Sequence, residues 1–203
     1  EEVLERLTQA FVNCEKLQSH MHFLLSKGGL YKVYNNNLLY HGCIPLNEDG
    51  SFKSVKIYGR SYKGKALYEV LESYVRKGFY AIDEKERKRG KDMMWYIWLS
   101  ENSPLFGKDK MATFERYFLA EKETHKEKKN PYYDFLENDK VVDRILKEFG
   151  LEHSFSHIIN GHMPVKSKNG ENPMKCGGKV FVIDGGFSRA YQKQTGIAGY
   201  TLI

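Results

Sequence analysis

SHIINGHMPVKSKNGENPMKCGGKVFVIDGGF, residues 156–187, decides the fold, because two short apolar runs in it each end in a polar residue plus glycine. The first run, 157–160, leads into Gly161-His162, and the second, 180–183, leads into Asp184-Gly185-Gly186. Upstream, 38–40 leads in the same way into His41-Gly42. In open α/β sheets, ligands lie beyond the carboxyl ends of strands, where glycine lets the backbone turn and approach a bound group. Two histidines and an aspartate at such junctions point to a metal site on a fold of mixed α and β structure.

Working outward, the ends of the chain read as cut: EEVLERLTQAF has no initiating methionine, and GIAGYTLI stops inside an expected strand. The 203 residues, 41% apolar and 14% aromatic, suffice for a packed core and exclude a disordered tail. Lys and Arg exceed Asp and Glu by six (32 against 26), which favours anionic partners such as phosphorylated metabolites. The excess is mild, and no nucleic-acid role is expected. Cys14, Cys43 and Cys176 form no CxxC pair, so neither a disulfide framework nor a thiolate zinc site is indicated, and a reducing, cytoplasmic setting fits. No apolar run approaches the roughly 18 residues of a membrane span.

Apolar spacing predicts one helix over 3–25, stopped by Gly28-Gly29 and packed on a sheet. Asn35-Asn36-Asn37 between 30–34 and 38–41 predicts a β-hairpin whose second strand carries His41. A short strand at 55–58 and a helix marked by Leu67, Val70, Leu71, Tyr74 and Val75, ending at Gly78, come next. EKERKRGK (84–91) reads as a solvated helix end or loop rather than a phosphate-binding patch, and MMWYIW (93–98) as buried core. SPLFGKDKMATFERYF (103–118) mixes turns with a short helix whose Arg116 sits in an aromatic setting that would hold it rigid. A further helix spans 141–149 and is closed by Gly150. The organisation is one domain with a helical insertion between the His41 and His162 strands.

Neutral imidazole suits zinc, manganese or iron, but two histidines leave a catalytic site incomplete. A histidine placed like His41 is more often structural, whereas Gly161 and Pro164 fix His162 in an exposed loop as a ligand candidate, with Asn160 available to hydrogen-bond within it. No Gly-Asp dipeptide, HExxH, GxSxG or GxxxxGK[ST] occurs. Cys43 and Cys176 read as buried rather than nucleophilic. His153 and His157 read as surface or packing residues. Lys166, Lys168, Lys175, Arg189 and Lys193 follow the two glycine junctions, where they can either neutralise phosphate or remain solvated.

Taken together, HGCIPLNEDGSF (41–52), SPLFGKDKMATFERYF, NGHMPVKSKNGENPMKCGGK (160–179) and VIDGGFSRAYQKQTGIAGYTLI (182–203) resemble the carboxyl-terminal part of class III fructose-1,6-bisphosphatase. This is a bacterial, manganese-dependent branch of the calcineurin-like metallophosphoesterases, and the resemblance covers essentially the whole chain. It implies a four-layer sandwich of two mixed sheets flanked by helices, with residues from about 62 to 152 as a family-specific insertion. It also implies hydrolysis of the 1-phosphate of fructose 1,6-bisphosphate in gluconeogenesis by a two-metal centre. His41 and His162 match the late histidine ligands. The Gly-Asp-x-His, Gly-Asp-x-x-Asp-Arg and Gly-Asn-His-Glu motifs that supply the other ligands are absent. The chain therefore resembles a fragment that is inactive alone. On this resemblance Lys166, Arg189 and Lys193 are candidates for the second phosphate or the sugar, and Asn160 and Asp184 for supporting the ligands from behind. The open alternatives are another calcineurin-like activity, on phosphoproteins or dinucleoside polyphosphates, and a non-catalytic regulatory or oligomerisation fragment with its aromatic middle as a homo-oligomer interface.

Overall fold

The computed structural model describes residues 1–152 and 154–203, so the expectation for His153 lies outside the described residues. The chain forms two compact units, Glu1–Leu30 and Tyr31–Ile203. In the first, the expected single helix is two, α1 (Glu2–Val12) and α2 (Glu15–Lys27). Asn13 ends the first as its C-cap and Cys14 opens the second in an extended conformation, which breaks the 3.6-residue ladder. No residue of either helix is buried, so the apolar stripe expected against a sheet is exposed, with Val3, Leu7, Phe11 and Leu24 all on the surface.

The second unit is built on a five-stranded sheet of order β1-β2-β5-β7-β6. Its edge hairpin pairs β1 (Tyr31–Tyr34) with β2 (Asn37–Tyr40) through Asn35-Asn36, whose φ values of 46° and 57° are those of a two-residue primed turn. Asparagine tolerates this left-handed backbone, so the hairpin read from the sequence forms with Asn37 already in the second strand. β3 (Val55–Ile57) is one residue shorter than expected and pairs with an unanticipated β4 (Arg60–Tyr62) across Tyr58-Gly59. After the insertion the chain returns as β5 (His157–Asn160), parallel to β2, then β6 (Met174–Lys175) and β7 (Val180–Val182), with β7 parallel to β5. The carboxyl ends of β2, β5 and β7 consequently share one edge. No strand forms over 196–203. Instead, Asp184 and Gly199 make an isolated bridge, and Tyr200 N–H donates to the Ile183 carbonyl at 2.9 Å.

Four helices lie between β4 and β5: α3 (Gly64–Tyr80), α4 (Glu84–Leu99), α5 (Thr113–Phe118) and α6 (Asp139–Glu148). The parallel registers Leu38–Ile158–Val180 and Asn160–Val182 put Leu38, Tyr40, Ile158, Asn160, Val180 and Val182 on one face, and all six are buried. Tyr68 of α3 and Tyr132 of a 3-10 turn, Pro131–Asp134, cover that face with edge-to-face ring contacts to Tyr40 at 6.1 Å. α6 adds Val141, Val142, Ile145 and Leu146 to the core, and Gly150 after it has the expected left-handed φ of 80°. The opposite face is thinner: its central Ile159 is buried, but Leu39, His157 and Phe181 beside it are only half-buried, and His157 packs edge-on against Phe181.

Two expectations for residues 62–152 need correction. Gly78 does not stop α3; it lies within it, against Gly90 of α4, where the absence of side chains lets the two backbones touch. MMWYIW is not wholly core, since helical periodicity buries Met93 and Ile97 while Trp95 and Trp98 are 60% and 59% exposed and stack on each other. EKERKRGK forms the solvated first half of α4, capped by Asp83 and tied by Glu86 to Lys77 and Arg89. Arg116 meets Glu127 at 3.4 Å and the His125 carbonyl at 3.3 Å rather than an aromatic cage. No helix among the described residues is long and apolar enough to cross a membrane.

Candidate metal centre

At the shared carboxyl edge, Gly161 N–H donates to the His41 carbonyl at 2.9 Å and locks the ends of β2 and β5 side by side. Gly161 has no Cβ, and one added there would come 3.3 Å from the Asp184 Cβ, so the three junctions meet within a residue's width. His162 follows with φ at 66°, a conformation few L-residues adopt outside functional turns. That turn brings His162 Nδ1 to 3.0 Å from His41 Nε2, with the rings edge to face at 4.9 Å.

The proton positions follow from the neighbours. His162 Nε2 lies 2.7 Å from the Phe106 carbonyl, which can only accept, so Nε2 carries the hydrogen and Nδ1 presents its lone pair toward His41. Desolvation holds both imidazoles below their ordinary pKa. For His41 the nearby Asp184 carboxylate partly opposes this; for His162 the His41 ring lowers the pKa further. Both rings are therefore neutral at neutral pH, the form that binds a metal.

The 3.0 Å spacing is that of an N–H···N hydrogen bond in which His41 Nε2 donates to the bare His162 Nδ1, and these two nitrogens, both at the shared strand edge, are the ones that would hold an ion. The carbonyl behind His162 is also the usual partner of a ligating imidazole's second nitrogen. Two donors are not a full ligand set, however, and among the described residues no group of three or more His, Cys, Asp or Glu side chains could hold a metal.

The other candidate residues take different places. Asn160 is 2% exposed beneath the pair, and its Nδ2 donates to the Gly42 carbonyl and the Tyr132 hydroxyl, both at 3.0 Å. Asp184 Oδ1 accepts from Gly186 N–H at 2.7 Å, closing a turn before α7 (Arg189–Thr195), and its influence on His41 is through charge. Lys166, Arg189 and Lys193 are exposed; no hydrogen bond among the described residues joins them to either imidazole. Lys168 reaches the Lys193 carbonyl at 2.7 Å, and Lys175 pairs with Glu171 at 3.2 Å. Cys43 and Cys176 are buried, and burial pushes their thiols up to about 12 and about 11, so neither is a ready nucleophile.

Comparison with known proteins decides the family. The family model for Firmicute fructose-1,6-bisphosphatase matches residues 1–203. The chain belongs to that family. It is 61% identical over 202 residues to the class 3 fructose-1,6-bisphosphatase of Clostridioides difficile strain 630, covering 99% of this chain and 31% of that protein. The class 3 enzymes of Clostridium acetobutylicum and Clostridium novyi are 59% and 57% identical, each across 100% of this chain and 30% and 31% of their own lengths. The chain thus spans about a third of the curated relatives it matches, a carboxyl-terminal portion of them. No solved structure gives a significant match.

The residues that the sequence did not single out lie between β4 and β5. SPLFG (103–107) forms a tight turn held by buried Ser103, whose hydroxyl contacts the Ile97 carbonyl and accepts from Leu105 N–H at 3.1 Å; Gly107 closes it with φ at 62°. The turn presents Pro104 to Cys43 N–H at 2.9 Å and Phe106 to His162. Only its turn residues were legible beforehand, not its destination. Gly42 is glycine for the same contact: a Cβ there would sit 2.5 Å from the Pro104 carbonyl oxygen and 3.2 Å from that of Leu105. Gly42→Ala is expected to push 103–107 off the site and destabilise the protein by about 1–3 kcal/mol, read as a lower denaturation midpoint. An unchanged midpoint would show that the turn yields freely.

Proposed function

We propose that this chain supplies the late two-histidine part of a metallophosphoesterase centre, and that the full-length protein hydrolyses the 1-phosphate of fructose 1,6-bisphosphate to fructose 6-phosphate in gluconeogenesis, in the cytoplasm. The observation that carries the reading is the 3.0 Å approach of His41 Nε2 to His162 Nδ1 at adjacent strand ends, with the Phe106 carbonyl setting the tautomer. His41 and His162 hold one manganese ion, and the remaining ligands come from other parts of the full-length protein. Bound there, manganese supplies Lewis-acid chemistry, stabilising charge on a phosphoryl oxygen and acidifying water.

The chain's own groups do the rest. Asn160 fixes the turn behind His41, and the Asp184 charge makes that ring a stronger base, partly opposing the desolvation that lowers its pKa. Lys166, Arg189 and Lys193 serve the second phosphate or the sugar by charge-assisted hydrogen bonds. The sheet is one layer of the four-layer sandwich; its half-buried face of Leu39, His157 and Phe181 supports a further layer there. Residues from about 62 to 152 are the family's own elaboration of that domain, and the exposed stacked tryptophans on it support a homo-oligomer contact.

The test is phosphate release from fructose 1,6-bisphosphate with manganese, comparing this chain with the full-length protein. Activity confined to the longer chain is expected, because two imidazoles do not complete a site. Activity in neither would remove the bisphosphatase reading.

A further inference from the structure

We propose that the helical insertion positions the histidine pair, and that Tyr132 is the positioning residue for His41, as the Phe106 carbonyl is for His162. The inference rests on the metal-ligand reading above and adds Tyr132, which that reading does not use.

Tyr132 is 1% exposed, at the first turn of a 3-10 segment whose N-cap, Asn130, accepts from its backbone N–H at 3.0 Å. Its hydroxyl lies 2.6 Å from the Tyr40 hydroxyl and accepts from Asn160 Nδ2 at 3.0 Å. Asn160 has only one workable amide orientation, because the Gly42 carbonyl accepts and so must face the NH2 group. One NH2 hydrogen goes to Gly42, directly after His41; the other goes to Tyr132. Among the described residues Asn160 Oδ1 is buried without a hydrogen-bond partner, so the amide is held through its NH2 group alone. The hydroxyl of Tyr132 thereby sets the plane of the amide that holds the turn carrying His41, while Tyr40 ties the same hydroxyl to the end of β2. A chain segment 92 residues from Tyr40 in sequence reaches the site through one oxygen atom.

Removing that oxygen by Tyr132→Phe keeps the ring and leaves an Asn160 hydrogen and the Tyr40 hydroxyl without their partner. The experiment is manganese titration by calorimetry on the full-length protein, alongside thermal denaturation without metal. Tyr132→Phe is expected to weaken manganese binding about tenfold, the lower end for loss of a group supporting a ligand. The control is Tyr133→Phe: its hydroxyl is also buried but faces the Cys43 thiol and makes no hydrogen bond to Asn160, so the same deletion next door is expected to leave the affinity unchanged. A lower melting temperature with unaltered manganese affinity in Tyr132→Phe would make the residue merely structural and overturn the inference. Equal weakening in both variants would overturn it too, since the effect would then belong to packing. His162→Ala separates the two levels. If it binds manganese as tightly as wild type, the ligand reading fails and the positioning role with it; if it loses binding while Tyr132→Phe does not, only the positioning role fails.

Discussion

His162→Ala in the full-length protein is expected to lower manganese affinity by more than about 100-fold, because removing a ligand exceeds the 10- to 100-fold cost of removing a group that merely supports one. Phosphate release from fructose 1,6-bisphosphate should fall with it. The expectation follows from how completely His162 is prepared. Its left-handed backbone, its Nε2 hydrogen bond and its Nδ1 lone pair at 3.0 Å from His41 all serve one direction of the ring. Metal analysis of the purified variant, with turnover measured in parallel, checks it. Full manganese content and wild-type turnover would mean that the imidazole is a packing group.

The second large effect lies far from the site. Gly90→Ala is expected to destabilise the protein by about 3 kcal/mol or more, at the upper end for overpacking. In an ordinary helix interior the same change stabilises by about 1 kcal/mol, so the sign is decided by contact. A Cβ on Gly90 would lie 2.1 Å from the Gly78 nitrogen, 2.3 Å from its Cα and 2.5 Å from the Tyr74 carbonyl oxygen. All three are backbone atoms, which cannot move aside without parting α3 from α4. Urea denaturation gives the change in stability, and proteolysis within 81–83 should accelerate. A stability within about 0.5 kcal/mol of wild type would show that the helix pair opens without cost.

Local sequence revealed much of the frame. The strand ends at Tyr40 and Asn160, the asparagine hairpin and the helix closed by Gly150 each depend on residues close in the chain, and all are present, with β7 ending one residue early at Val182 and Asn37 already in β2. Where local signals misled, the reason was tertiary. Gly78 looked like a helix stop because glycine disfavours helices, yet a facing Gly90 makes it a crossing point. Trp95 and Trp98 looked like core because nothing polar interrupts the run, but hydrophobicity does not say which side of a helix faces inward. β4 was missed because SerTyr and ArgSer carry little strand signal without β3 beside them.

The sequence by itself determined that His41, His162 and Asp184 lie just past strand ends and beside glycine, since strand periodicity and the backbone freedom of glycine are properties of a few neighbouring residues. It also carried the family, through motifs spread over the whole chain. Only the tertiary structure decided that β2, β5 and β7 run parallel with their carboxyl ends together, that the His41 and His162 rings meet, and that Phe106 and Tyr132 stand behind them. Those are contacts between segments 22 (Ile158 to Val180) to 121 residues apart. No local spacing encodes them, because the direction of an imidazole is set by whichever distant carbonyl or hydroxyl packing brings within hydrogen-bond reach.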